Sequence, residues 1–110
     1  MYKEVLEKVI ENNPEVEAVL LAASDGLPIE VVTKNGMEDS EEVAARIMAL
    51  VSSALSYEIH PVNYMVLNTG DRSIFVVPVS EDVFLIALGR GGYEGKIKFY
   101  LQLAASEIEL

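Results

Sequence analysis

Apolar and polar positions follow two rhythms along this chain, and the switches between them mark its elements. Val5, Leu6, Val9 and Ile10 recur at helical spacing, with Glu4, Glu7, Lys8 and Glu11 opposite. That spacing predicts a helix over 2–12, ended by Asn12-Asn13-Pro14. The run VEAVLLAA (16–23) is nearly continuous and apolar, as in a strand buried on both faces. Asp25-Gly26 supplies a tight reversal, and IEVVT (29–33) returns as its hairpin partner. After the polar loop KNGMEDS, a helix is expected over 40–57, with Ser40 as N-cap and Glu41 and Glu42 against the positive end of its dipole. YEIHPVN ends it, because His60 before Pro61 favours extended backbone.

Three strands then alternate with turns: VNYMVLN (62–68), SIFVVPV (73–79) and VFLIALG (83–89). A last helix is expected over 92–109, with Ile97, Tyr100, Leu101, Ala104 and Ile108 inward and Lys96, Lys98, Gln102 and Glu109 outward. The order is helix, two strands, helix, three strands, helix. Short turns and one helical crossover imply a mixed, mainly antiparallel sheet covered by helices, an α+β arrangement in one domain over 1–110. Pro78 cannot donate to a ladder, so it is expected at a strand end, a bulge or an edge.

Two bulk properties narrow the function. A net charge of −10 makes nucleic acid and anionic membrane poor partners. No apolar run is long enough to span a bilayer and the N-terminal segment is charged throughout, so a cytoplasmic protein is expected. There is no cysteine, which removes disulfides and thiolate chemistry. The hydrophobic fraction of 51% is high for so small a domain, and part of that surface is expected to be covered by a second chain.

Candidate chemistry fails residue by residue. LGRGGYEGK (88–96) is glycine-rich, but a P-loop ending at Gly95-Lys96 needs glycine where Arg90 stands and a hydroxyl where Ile97 stands. The glycines read as a strand-to-helix connector. His60 is the single histidine and has no partner at metal-binding spacing. Ser52, Ser53 and Ser56 lie inside a helix, not in a nucleophile elbow. Glu38, Asp39, Glu41 and Glu42 lack the spacing of an EF-hand. Arg46, Arg72 and Arg90 are the arginines that could be offered in trans to a partner's nucleotide site. No catalytic residue, cofactor or metal is expected.

The middle helix is the informative element. Val43, Ile47, Leu50 and Ala54 form one stripe; Ala44, Met48, Val51 and Leu55 form a second beside it. Together they exceed the arc of an ordinary surface helix, so one stripe is expected on the chain's own sheet and the other on a partner. The alternative is one wide face buried wholly within the chain.

The strand ending ASDGLPI, the apolar helix after an acidic loop, the hairpin VVPVSEDVFLIALG and the amphipathic last helix together resemble the Roadblock/dynein light chain family. The chain is most similar to small prokaryotic members of the family, which include bacterial gliding-motility GTPase regulators. The resemblance implies a profilin-like, five-stranded antiparallel sheet in the order 2-1-5-4-3. The first and last helices would lie on one face and the middle helix on the other, with Pro78 at the very end of the fourth strand. It implies a homodimer through the middle helix and the third strand, here Ala45, Met48, Ser52, Leu55, Tyr64 and Val66, with Glu42, Arg46 and Ser53 facing a further partner. It also implies a non-catalytic regulator or scaffold for a Ras-like small GTPase, which stimulates hydrolysis in some members. The alternatives are a structural subunit of a motor or signalling complex and a ligand-sensing domain.

Overall fold

The computed structural model describes residues 2–36, 39–55 and 63–108. Its elements are α1 (Tyr2–Asn12), β1 (Val16–Ala23), β2 (Pro28–Thr33), α2 (Ser40–Leu55), β3 (Met65–Thr69), β4 (Arg72–Pro78), β5 (Val83–Arg90) and α3 (Glu94–Glu107). The strands form one sheet in the order β2-β1-β5-β4-β3, and every pairing is antiparallel. The sheet is therefore not mixed. Consecutive strands joined by tight turns need no parallel pair, and β1 meets β5 antiparallel at the centre.

Alternation along the strands divides the core in two. Val19 and Leu21 of β1, Phe75 and Val77 of β4, and Leu85 and Ala87 of β5 pack under Leu6 and Val9 of α1 and Ile97, Leu101 and Ala104 of α3. Ala18, Leu20 and Ala22, Val76, and Phe84 and Ile86 face the other way, under Ala44, Ile47, Met48 and Val51 of α2. The first and last helices thus share one face and the middle helix takes the other. A β1 strand feeding both cores has no solvated side, which is why its sequence is apolar almost without interruption. The exception, exposed Glu17, is the extra residue of a bulge between Val16 and Ala18.

Turn chemistry places the ends. Gly26 has φ +94°, and Asp25 Oδ1 accepts from Leu27 N at 3.1 Å, an Asx turn that closes the β1–β2 hairpin. Gly70 turns the β3–β4 hairpin at φ +74°. Pro78 is the last residue of β4, where its missing N–H costs no ladder bond. Two helix starts differ from expectation. Val43 N donates to Asp39 O at 3.0 Å, so the cap position of α2 is Asp39, one residue before Ser40. Gly92 has φ +96°, outside helical space, so α3 cannot begin there and starts at Glu94. Met65 begins the third strand; Val62, its expected start, lies outside the described residues, as do His60, Ser56, Glu38 and Glu109.

Candidate partner-binding surface

The glycine connector is occupied by packing. A Cβ at Gly89 would sit 2.7 Å from Glu15 O, where the corner between α1 and β1 crosses β5, and Arg90 N donates to that same carbonyl at 3.1 Å. Gly91 N donates to Asp71 O at 3.1 Å. The open dish beyond it is lined by Asn68, Asp71, Arg90, Tyr93 and Glu94, with two carboxylates beside the one guanidinium. Glu94 Oε1 accepts from Gly92 N at 3.0 Å, and this bond, with one from its own backbone N–H, holds its carboxyl below the usual range. The surroundings therefore favour a carboxylate already in place over a phosphate. Arg72 pairs with Glu17, and Lys96 Nζ lies 3.3 Å from the largely buried Glu15 carboxylate. Among the described residues, no group of His, Cys, Asp and Glu is placed to hold a metal ion.

The middle helix presents a different face from the one its stripes implied. Ala44, Ile47, Met48 and Val51 are buried, so the inward direction runs along the seam between the two stripes. Met48, expected at a subunit interface, is 2% exposed and belongs to the chain's own core. The reason is rotational. Ile47 and Met48 flank the inward axis from either side, and both are long enough to reach the sheet. Leu50 and Ala54, by contrast, turn outward on one flank, Leu50 with 54% exposure. Ala45, Ala49 and Ser52 are exposed on the other flank. Ser53 is exposed as well, and the side chain of Leu55 lies outside the described residues. Glu42 and Arg46 are exposed and pair with each other at 2.7 Å across one helical turn.

The third strand divides its side chains between the two faces. Val66 stands opposite Phe75 and so points to the α1/α3 side. Tyr64 packs on that side too, its hydroxyl 3.5 Å from Glu94 O and Lys98 Nζ 5.3 Å from its ring centre. Burial, with the Glu94 carboxylate adding, pushes its phenol above the ordinary value. Neither side chain shares a face with α2. The residues that do are Met65 and Leu67, opposite Val76 and Ile74. α2 lies over β2 and β1, and at the other end of this face Met65, Leu67 and Ile74 are only half-buried. A period-two pattern contained this information, since Tyr64 and Val66 share parity and cannot join Met65 and Leu67.

The exposed flanks of α2 carry Leu50 and Ala54 on one side and Ala45, Ala49 and Ser52 on the other, with Glu42, Arg46 and Ser53 between them, and Met65, Leu67 and Ile74 lie half-covered on the same sheet face. Leu50 belongs to one of the two stripes read from the sequence, whereas exposed Phe99 and Leu103 on α3 and Leu27 and Ile29 at β2 were not singled out by sequence reasoning.

The family model of the Roadblock/LC7 domain matches residues 2–88. No curated protein matches the sequence. Among solved structures, a Roadblock/LC7 domain from Streptomyces avermitilis superposes with a TM-score of 0.86 at 16% identity, over 94% of this chain and 91% of that one. MglB of Myxococcus xanthus gives a TM-score of 0.83 at 15% identity, over 96% and 89% of the two chains. The gliding protein MglB of Thermus thermophilus gives 0.72 at 14% identity, over 97% and 90%. At such identities the likeness is one of fold.

Proposed function

This chain belongs to the Roadblock/LC7 domain family, and from that premise we propose that it is a non-catalytic, homodimeric regulator or scaffold that binds a Ras-like small GTPase in the cytoplasm. The observation that carries the reading is the unfinished α2 face. Exposed Leu50 and Ala54, exposed Ala45, Ala49 and Ser52, and half-buried Met65, Leu67 and Ile74 need a second body. A second copy placed through α2 and the β3 edge covers them and joins two sheets into one. The small residues let the helices come close. Glu42, Arg46 and Ser53 then rim the joined helices and face the GTPase.

The test has two stages. Light scattering at micromolar concentration should return twice the mass of one chain; a monomer overturns the assembly. A pull-down from native extract, with a non-hydrolysable GTP analogue and separately with GDP, should capture a small GTPase. Capture with the analogue alone marks a regulator of the active state, and its hydrolysis rate is then measured with and without this protein. Unchanged turnover with a bound partner gives the structural-subunit reading instead.

A further inference from the structure

The β2 edge lies at the opposite side of the sheet from β3 and takes no part in the assembly proposed above. Its outer peptide groups have a definite direction. Lys34 N donates inward to Glu17 O at 3.0 Å, and alternation along the strand then turns Val32 inward and Val31 and Thr33 outward. No strand among the described residues pairs with those outward N–H and C=O groups. Beside them, Leu27 is 61% exposed and Ile29, the bulged residue between Glu30 and Pro28, is 43% exposed.

Acidic side chains outnumber basic ones around this edge. Asp25 is exposed and Glu30 half-buried on the hairpin itself. The first turns of α2 pack alongside, since a Cβ at Gly26 would come within 2.9 Å of Ala45 Cα. They bring Asp39, Glu41 and Glu42, all exposed. The two nearby cations are engaged: Arg46 with Glu42, and Lys34 with Pro14 O.

We propose that the outer edge of β2 is a docking site for an extended, basic segment of another protein, which adds to the sheet as a further strand. The backbone groups of Val31 and Thr33 supply the ladder, Leu27 and Ile29 supply apolar contact, and the acidic rim selects lysine or arginine. A second copy of this chain is a poor occupant, because each chain carries a net charge of −10 and brings no basic segment to the edge. The bulge at Ile29 and the shortness of the free stretch guard the edge against indiscriminate pairing. Charge then decides what enters. A dimer built through β3 would carry two such edges, one at each end of its joined sheet.

The test uses the full chain, isotope-labelled, and a short amidated peptide of alternating lysine and valine. Saturable amide shifts confined to 27–33 are expected. At saturation, exchange of the Val31 and Thr33 amides should slow at least ~tenfold while Val32, already in the ladder, is unchanged. Asp25→Lys with Glu30→Lys should weaken the peptide at least ~fivefold, and a glutamate–valine peptide should not bind. Four results overturn the proposal. They are shifts centred on α2 or α3; equal binding of a lysine peptide interrupted by proline; unchanged affinity in the double variant; and protection of Val31 and Thr33 that grows with protein concentration and no peptide, which assigns the edge to a second copy.

Discussion

The two faces of this sheet are finished to different degrees. On one, α1 and α3 lie side by side over the sheet, joined at their far ends by the exposed Lys8–Glu107 pair. On the other, among the described residues, one helix lies over β2 and β1, and Met65, Leu67 and Ile74 of the far strands are half-buried. Both faces have the same alternating supply of apolar side chains, so the difference lies in how many helices the connections deliver to each. The α1/α3 face gathers most of the largest buried side chains, Phe75, Leu6, Leu21, Leu85, Ile97 and Leu101 among them. The α2 face does two tasks at once, closing a smaller core and offering its outer surface to another body.

The contrast can be broken most sharply at Met48. Met48→Glu places a carboxylate among Ala44, Ile47 and Val51 with no cation beside it. A charge buried that way costs several kcal/mol or more, so circular dichroism should show loss of the folded chain, not a folded monomer. A stable monomer would return Met48 to the subunit interface. Next comes Phe75→Ala on the other face. Removing a fully buried aromatic should cost about 3–5 kcal/mol, read as a lower urea midpoint. Leu50→Glu is the complement. Folding stability should stay within about 0.5 kcal/mol, because the side chain is already in water, while scattering mass should fall to that of one chain. An unchanged mass would exclude Leu50 from the interface.

Smaller effects sharpen the picture. Arg46→Ala removes an exposed pair one turn apart and should cost about 0.3–0.5 kcal/mol, whatever it does to a partner. Tyr64 gives the pH dependence. Its folded pKa is raised above the ordinary 10.0, chiefly by burial and then by Glu94. Its contribution is therefore fully present below about 10 and is lost as pH rises through the folded value. Ultraviolet titration should find a phenol ionising above the ordinary range, and Tyr64→Phe should remove it; if it does not, the place of Tyr64 against α3 is wrong.

Strand alternation and turn residues made most of this fold legible. VEAVLLAA announces a strand with no wet face, and Asp25-Gly26, Gly70 and Pro78 sit where their backbone limits require. The rotation of α2 was harder to read. Its apolar arc is wide enough that several inward directions bury similar area, and the approach of Gly26 to Ala45 selects among them. That contact joins residues far apart in sequence and has no periodic signature. Resemblance alone puts Tyr64 and Val66 at a subunit interface, and parity separates their side chains from those of Met65 and Leu67. The acidic rim of β2 is assembled from two separate segments, the hairpin and the start of α2, so it exists only after folding.

The bulge at Glu17 gives the central strand one position where its length is negotiable. Val16 stands opposite Gly89 and Ala18 opposite Leu88, so Glu17 is the extra residue, yet both flanks already face their proper cores. Deleting Glu17 would join two segments that are in phase and leave the pairing with β5 intact. Deleting Leu20 would throw one half of the strand onto the opposite face. Tolerance of a lost residue in β1 should thus be concentrated at a single site, next to the corner where the chain enters the sheet.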